Sequence, residues 1–498
     1  MAPYGISKTQ KIIIMNQQKQ NYALPITMMI ALFFMISFVT GLQNPLGVIV
    51  KNQFDGISNI MSQMGNAANF IAYFFMGIPS GLLIQRYGYK KTALGAIAVG
   101  FAGVSMTFFA GQAASFPIYL IGAFISGFSM CMLNAVVNPM LNTLGGGGNK
   151  GNQLIQVGGS VNSIGATLAP VLGGAIMGNV ANSKLADSTP ILFIAMGIFL
   201  MTFIVLYFVT IPEPHGAGQK RVKANDKHSP LSFRHFIFGI IGIFLYVGIE
   251  VGIANITNLY MTAQTTEMAQ ENIAAYEKQA KDAAYLEQVT QEDLANKDNS
   301  AYVSKVISAN AYDNAQKILR NEAKPGLGLT AATAGIIIGT YWLLMMVGRL
   351  FGAAFGAKVS SKSMLLFAAS LGILFILLAI FLPQTEVSMP VFKSNLSFGL
   401  AQVPVNVFFL ALCGLCTSVM WGGIFNLAVE GLGKYTAAAS GIFMVMVCGG
   451  GLLPLVQAGV ADLFGYMASY WVIIAALAYL VFYALIGSKN VNKDIEVE

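Results

Sequence analysis

Apolar stretches long enough to cross about 30 Å of hydrocarbon recur along the whole chain. They fall at roughly 23–43, 64–85, 92–111, 116–142, 155–179, 190–211, 235–262, 329–355, 362–383, 403–428, 436–460 and 467–487, each bounded by polar, Gly- or Pro-containing turns. The pattern predicts twelve transmembrane helices and an all-α membrane protein.

The charges test that count. With the N-terminus inside and sides alternating, the inner segments hold Lys8, Lys11, Lys19, Arg86, Lys90, Lys91, Lys150, Lys220, Arg221, Lys223, Lys227, Arg234, Arg349, Lys358, Lys362, Lys434, Lys489 and Lys493. The short outer loops hold only Lys51, Lys184 and Lys393. This positive-inside bias places both termini in the cytoplasm and the chain in the cytoplasmic (inner) membrane as a multi-pass protein.

Two polar segments divide the run of helices. Residues 212–234 contain Pro212, Pro214 and Pro230 with several basic residues, and separate six helices from six. Residues 263–326 are rich in Ala, Gln, Glu, Lys and Asn, and lie outside between helices seven and eight. Stretches such as "ENIAAYEKQAKDAAYLEQ" have helix-forming composition but a thin apolar stripe, so a small helical hairpin is the most they predict. A solvated insertion and a lid over an outward cavity are both open readings, the solvated one being favoured. The expected organisation is a tail at 1–22, a first bundle at 23–211, a linker at 212–234, a second bundle at 235–487 interrupted by the 263–326 insertion, and a tail at 488–498.

Composition agrees. Of 498 residues 56% are hydrophobic and only 10% charged, with mean hydropathy +0.66, against about 25% charged in soluble domains. The net charge of +7 follows the loops rather than forming a nucleic-acid surface. The polar first 22 residues do not read as a secretory signal, and no small-residue cleavage site ends the first apolar run. Cys131, Cys413, Cys416 and Cys448 all lie in apolar stretches, and the C-x-x-C at 413–416 has no histidine partner, because His215, His228 and His235 cluster at the central loop. No metal site or cofactor is expected. The run Gly145–Gly148 lacks the Gly-Lys-Ser/Thr ending of a phosphate loop and reads as a turn.

Motifs then narrow the fold. Twelve helices in two halves with a basic central loop resemble the layout of the major facilitator superfamily, which implies two pseudo-symmetric six-helix bundles with substrate at the midplane between them. Gly81-x-Leu83-x-x-Arg86-x-Gly88-x-Lys90-Lys91 resembles that superfamily's loop 2–3 signature, with Gln85 where an Asp is usual. "GRLFGAAFGAKVSSK", with Arg349 and Lys358, sits at the corresponding place in the second half. This resemblance implies a cytoplasmic gate at Gly81, Arg86, Gly88, Lys90, Lys91 and Arg349.

"CMLNAVVNPML" and "NQLIQVGGSVNSIGATLAP" are similar to helices four and five of the fucose–galactose–glucose:proton symporter family, the group of the L-fucose permease. "FLYVGIEVG", "GGIFNLAVEGLGKYTAAASG" and "CGGGLLPLVQAGVADLFG" extend the resemblance over nearly the whole chain outside the tails and the insertion. It implies a secondary transporter of a neutral sugar, a hexose or deoxyhexose, working by alternating access. Proton coupling transfers less well. Where the proton-coupled members carry a helix-four carboxylate, this chain has Asn134, and late in helix one it has Gln43 and Asn44.

Polar groups in hydrocarbon must face a cavity or one another. Amides, with two donors and an acceptor, suit a polyhydroxylated neutral ligand. Gln43, Asn44, Asn66, Asn134, Asn138, Gln156, Asn162, Asn255 and Asn426 are the candidate sugar contacts, with Tyr341, Trp342 and Trp421 offering flat apolar faces. Helix–helix hydrogen bonding is the alternative role for each amide. Glu250 is the only acid placed inside the hydrocarbon. Every Lys and Arg reads as lying in a loop or at a helix end, so no midplane cation is expected beside it and the neutral acid is favoured. A proton-coupling carboxyl and a permanently protonated hydrogen-bond donor are both open roles. Facilitated diffusion, or carriage of a peptide, nucleoside or drug, stands as the alternative function. A membrane enzyme would need a catalytic cluster at membrane depth that the sequence does not display, and a non-transporting sensor is kept open only by the insertion. The partners are therefore a small-molecule sugar, protons if coupling exists, and the lipid bilayer; nucleic acid is excluded and a monomer is expected.

Overall fold

The computed structural model describes residues 22–54, 58–145, 148–177, 184–211, 228–288, 309–355, 359–393, 395, 397–432, 435–491 and 495. The first 21 residues, most of the 212–234 linker, the centre of the insertion, Lys358 and most of the last residues lie outside this set. Among the described residues, eleven helices are long and apolar enough to cross a membrane. The remaining expected span, Gly148–Met177, is 30 residues long. It is less apolar because it carries Asn152, Gln153, Gln156 and Asn162.

The first half comprises α1 (Ala23–Gly41), α2 (Gln43–Gln53), α3 (Met64–Gln112), α4 (Phe116–Leu144), α5 (Gly148–Met177) and α6 (Thr189–Phe208). α1 and α2 together make the first span, and α3 holds the second and third. The two spans of α3 part at Gly88, whose φ of 81° and ψ of 173° only glycine adopts without strain. The second half comprises α7 (Arg234–Thr262), α8 (Thr266–Gln288), α9 (Ala309–Leu319), α10 (Ala331–Phe355), α11 (Ser361–Phe381), α12 (Val405–Thr417), α13 (Met420–Val429), α14 (Thr436–Val445), α15 (Gly449–Phe464) and α16 (Tyr466–Phe482).

The insertion does form two helices. α8 and α9 pack on each other, and Tyr276 stacks on Tyr312 with centroids 4.3 Å apart. The chain also contains a β-hairpin that the helical periodicity did not reveal. β1 (Glu386–Phe392) pairs antiparallel with β2 (Phe398–Pro404), and the Phe392 N–H donates to Thr340 Oγ1 at 3.3 Å. Its buried face is Met389, Val391 and Val403. Pro390 lies at an exposed position of β1, and the span expected from 403 begins instead at Val405, after β2.

Within the halves, α1 packs on α5, α3 on α4 and α6, α7 on α15, and α11 on α12 and α16. Two main seams join the halves, α5 against α10 and the first span of α3 against α14 and α15, and α7 also meets α2. Counted as spans, the main seams are five against eight and two against eleven. Shifting each number by six turns one seam into the other, as pseudo-twofold halves require. Without a hydrophobic drive between helices in lipid, close approach depends on small residues. A Cβ on Gly335 would lie 2.3 Å from the Pro170 carbonyl oxygen, and one on Gly339 would lie 2.3 Å from Val171 Cγ2. A Cβ on Gly81, by contrast, would have nothing within 4 Å.

Gly335→Ala should therefore destabilise the protein by about 1–3 kcal/mol, read as a lower Tm in a detergent thermal-shift assay. Gly81→Ala should leave Tm unchanged. Equal Tm values for the two variants would contradict the tight α5–α10 seam.

Candidate functional site

The molecule has two ends: a basic end, carrying Arg86, Lys90 and Lys91, and an insertion end, carrying α8 and α9. Polar groups along the seams fall into a set towards each end.

The insertion-end set is buried and joins the halves directly. Asn255 Nδ2 donates to Gln63 Oε1 at 2.8 Å, Asn258 Nδ2 to the Asn44 carbonyl at 3.2 Å, and Asn66 Nδ2 to the Gly450 carbonyl at 2.9 Å. Above them, Lys51 Nζ donates to Asn59 Oδ1 and to Tyr466 Oη at 2.8 Å, and Asp462 accepts from the backbone N–H groups of Asn59 and Ile60 at 3.0 and 3.1 Å. The cavity between Pro45, Asn258, Pro170 and Gly335 is about water-sized, so a sugar has no room there. Gln43 accepts from Tyr119 Oη at 2.8 Å, a bond inside the first half. These bonds are the helix-to-helix role that the sequence left open for amides, and those of Asn255, Asn258 and Asn66 are interbundle.

The second set is half-buried and surrounds Glu250. α7 places this carboxyl on its seam face, and α10 supplies what the sequence reading did not expect. Arg349 Nη2 lies 3.6 Å from Glu250 Oε1, with side chains 12% and 15% exposed respectively. Arg349 is thus no loop residue but sits within α10. Its place six residues before the end of the helix fits a basic-end motif, but a long side chain reaches back along the axis. The other guanidinium nitrogen crosses to the first half. Arg349 Nη1 donates to the Gly159 carbonyl at 2.6 Å and to Ser163 Oγ at 2.9 Å, with Asn162 Oδ1 at 3.5 Å. α5 offers these three acceptors on one face because residues 159, 162 and 163 are spaced at three and four.

Aromatic rings surround the pair. Tyr341 Oη donates to the Glu250 backbone carbonyl at 3.0 Å. The buried Tyr246 hydroxyl adjoins the carboxyl without a hydrogen bond of good geometry. Tyr246 meets Trp421 edge-on at 6.2 Å, and Tyr341 meets Trp342 at 5.1 Å. The Trp342 indole N–H is buried and unpartnered. Gln156 lies across from Gly422, where an added Cβ would sit 3.3 Å from Gln156 Nε2. Asn162 Nδ2 donates to the Phe33 carbonyl at 2.9 Å. Asn134, where a carboxylate would stand in the family resemblance, donates to Tyr73 Oη at 3.0 Å, and Asn138 Nδ2 donates to the Asn134 carbonyl at 2.9 Å. Asn426 is exposed near the end of α13.

The remaining motif residues lie at the basic end. The Arg86 guanidinium sits 5.2 Å over the Tyr87 ring, Lys90 Nζ donates to the Tyr207 carbonyl at 2.8 Å, and Lys91 is exposed. The four cysteines are buried free thiols, and His235 is buried in the first turn of α7 with a ring nitrogen 2.9 Å from the Glu430 carbonyl.

The profile of the Major Facilitator Superfamily matches residues 27–275, half of the chain. The chain belongs to the major facilitator superfamily. It is 24% identical over 479 residues to the glucose/galactose transporter of Brucella abortus, covering 95% of this chain and 97% of that one. It is 25% identical over 489 residues to a putative glucose/galactose transporter of Helicobacter pylori, covering 95% and 99%. Its fold matches the fucose:proton symporter FucP of Escherichia coli, in the outward conformation, with a TM-score of 0.61 at 18% identity, over 95% of this chain and all of that one. A multi-pass membrane transporter fold with a superfamily-wide architecture is therefore in hand. Neither Gln63 nor Asp462 was foreseen as an interbundle contact, because Gln63 stands between apolar runs and Asp462 beside a predicted helix end.

For alternating access, the insertion-end seam must part. A Gln63→Cys/Asn255→Cys pair joined by a short bifunctional thiol reagent should lose transport, while each single variant treated alike keeps it. Undiminished transport after complete cross-linking would mean that this seam stays closed throughout the cycle.

Proposed function

We propose that this protein is a carrier, not an enzyme, that moves a neutral hexose or deoxyhexose across the inner membrane by alternating access. The observation that carries this is the make-up of the Glu250 region. Gln156 and Asn162 are half-buried amides of α5, Asn162 at 3.5 Å from Arg349 and Gln156 across from Gly422. Tyr246 and Tyr341 adjoin Glu250, Asn134 and Asn138 are half-buried on α4, and the local charges neutralise each other as one ion pair. Amides exchange hydrogen bonds with hydroxyls of either sense, and aromatic faces suit sugar C–H surfaces. An ionic substrate would need an unpaired charge, and Arg349 has Glu250 beside it. The naming of the Brucella and Helicobacter relatives supports the same substrate class.

In this reading both termini are cytoplasmic, the insertion end faces outward, and one chain holding both bundles works as a monomer. Glu250 carries the coupling proton. It stands in for the helix-four carboxylate, whose place is taken by Asn134. A carboxyl at the meeting of two bundles can take up a proton when open to one side and release it when open to the other. Gln156 and Asn162 lie on the helix that Arg349 joins to Glu250, so sugar and proton act on the same contact.

The absence of an acid at 43, 44 and 134 favours a second reading, a facilitator without coupling. Uptake of labelled glucose, galactose and L-fucose into proteoliposomes, with and without an imposed proton gradient, separates the two. The native protein should accumulate one of these sugars only with the gradient. Glu250→Gln should lose accumulation and keep sugar exchange. Accumulation by Glu250→Gln equal to the native protein would remove Glu250 from the coupling role, and equilibration by the native protein would establish the facilitator.

A further inference from the structure

Arg349 is the one cation that reaches both halves at the candidate site among the described residues, and its contacts are unequal. Towards α7 it has a carboxylate at 3.6 Å, and towards α5 a carbonyl at 2.6 Å and a hydroxyl at 2.9 Å. The groups facing Glu250 are Tyr246 on its own helix, Tyr341 and Arg349 on α10, and the uncharged Gly159, Asn162 and Ser163 of α5 behind the guanidinium. Nothing else charged stands there among the described residues. A shift of charge on Glu250 is therefore felt by Arg349 first.

We propose that Arg349 is the positioning residue that links protonation of Glu250 to helix α5, which carries the candidate sugar amides Gln156 and Asn162. This rests on the carrier reading above. When Glu250 is ionised, the guanidinium is divided between the carboxylate and α5. When the carboxylate takes a proton from solvent, that pull ends, and the Gly159 carbonyl, the Ser163 hydroxyl and Asn162 Oδ1 remain as its partners. Protonation thus tightens the α5–α10 contact of the sealed arrangement. Loss of the proton frees the guanidinium to leave α5, and the bundles to part. The bidentate, planar guanidinium is needed because two of its nitrogens work on different bundles, which a lysine ammonium on a single point cannot reproduce. Removing the arginine alone strands a carboxylate among apolar walls, whereas removing both charges does not.

The test compares Arg349→Gln, Arg349→Lys, Glu250→Gln and the Glu250→Gln/Arg349→Gln double variant in proteoliposomes with labelled glucose, galactose and L-fucose. Tm in detergent is measured beside transport. The native protein should show a pH-dependent apparent sugar affinity; Arg349→Gln should keep sugar exchange, lose accumulation and lose that pH dependence. Arg349→Lys should restore Tm but not the pH dependence. The double variant should regain Tm and transport no worse than either single variant, since the two residues act as one unit. If Glu250→Gln abolishes accumulation but Arg349→Gln retains it with the native pH profile, the linkage through Arg349 is wrong while the coupling role of Glu250 stands. If Glu250→Gln itself accumulates sugar, the carrier reading of Glu250 fails first. Additive losses in the double variant would also overturn the linkage.

Discussion

A guanidinium in a membrane interior has to be surrounded by acceptors, and the acceptors that Arg349 finds belong to two different bundles. That requirement organises the seam. Glu250 balances the charge from α7, and α5 turns a carbonyl, a hydroxyl and an amide oxygen towards the remaining donors. Deleting either charge alone leaves the other without compensation in a low-dielectric setting, so the two residues are best treated as one functional unit. The glycines of the α5–α10 seam matter for the same reason. They bring the two backbones close enough for a side chain on one helix to bond the carbonyls of the other.

The neutral amides obey the same rule more weakly. Towards the insertion end they donate across the halves to an amide oxygen and to backbone carbonyls, and the space between them is nearly filled. Each such bond is worth on the order of 0.6 kcal/mol in membrane proteins, little enough that a handful can be exchanged for bonds to a polyhydroxylated ligand. The Lys51–Asn59–Tyr466 and Asp462 contacts close the same end with charge-assisted bonds. Sealing by many small terms, with a single ion pair deeper in, is compatible with a structure that must open repeatedly.

Much of this was legible before any coordinates. Span number and the expected division after six follow from hydropathy and loop charge, while the motif at 81–91 and the amides of α5 stood out through the family resemblance. Three things were not. Arg349 looked like a loop cation because hydropathy registers where a residue is attached, not where a long side chain ends. The hairpin at 386–404 was hidden because its short strands lie between two spans and the end of the second merges with the apolar run expected from 403. Gln63–Asn255 and Asn44–Asn258 could not be paired because contacts between halves depend on how two separately folded bundles dock, and no local period encodes that.

The account stands most directly on sugar-evoked proton movement. Proteoliposomes holding the native protein and a trapped pH indicator would be exposed to glucose, galactose or L-fucose with no imposed gradient. Acidification of the lumen on addition of one sugar, absent in Glu250→Gln, is the expected result and would make the Glu250–Arg349 unit the site where proton and sugar meet. Sugar entry with no change in luminal pH would contradict it, and would leave the ion pair as a structural tie between the two bundles of a facilitator.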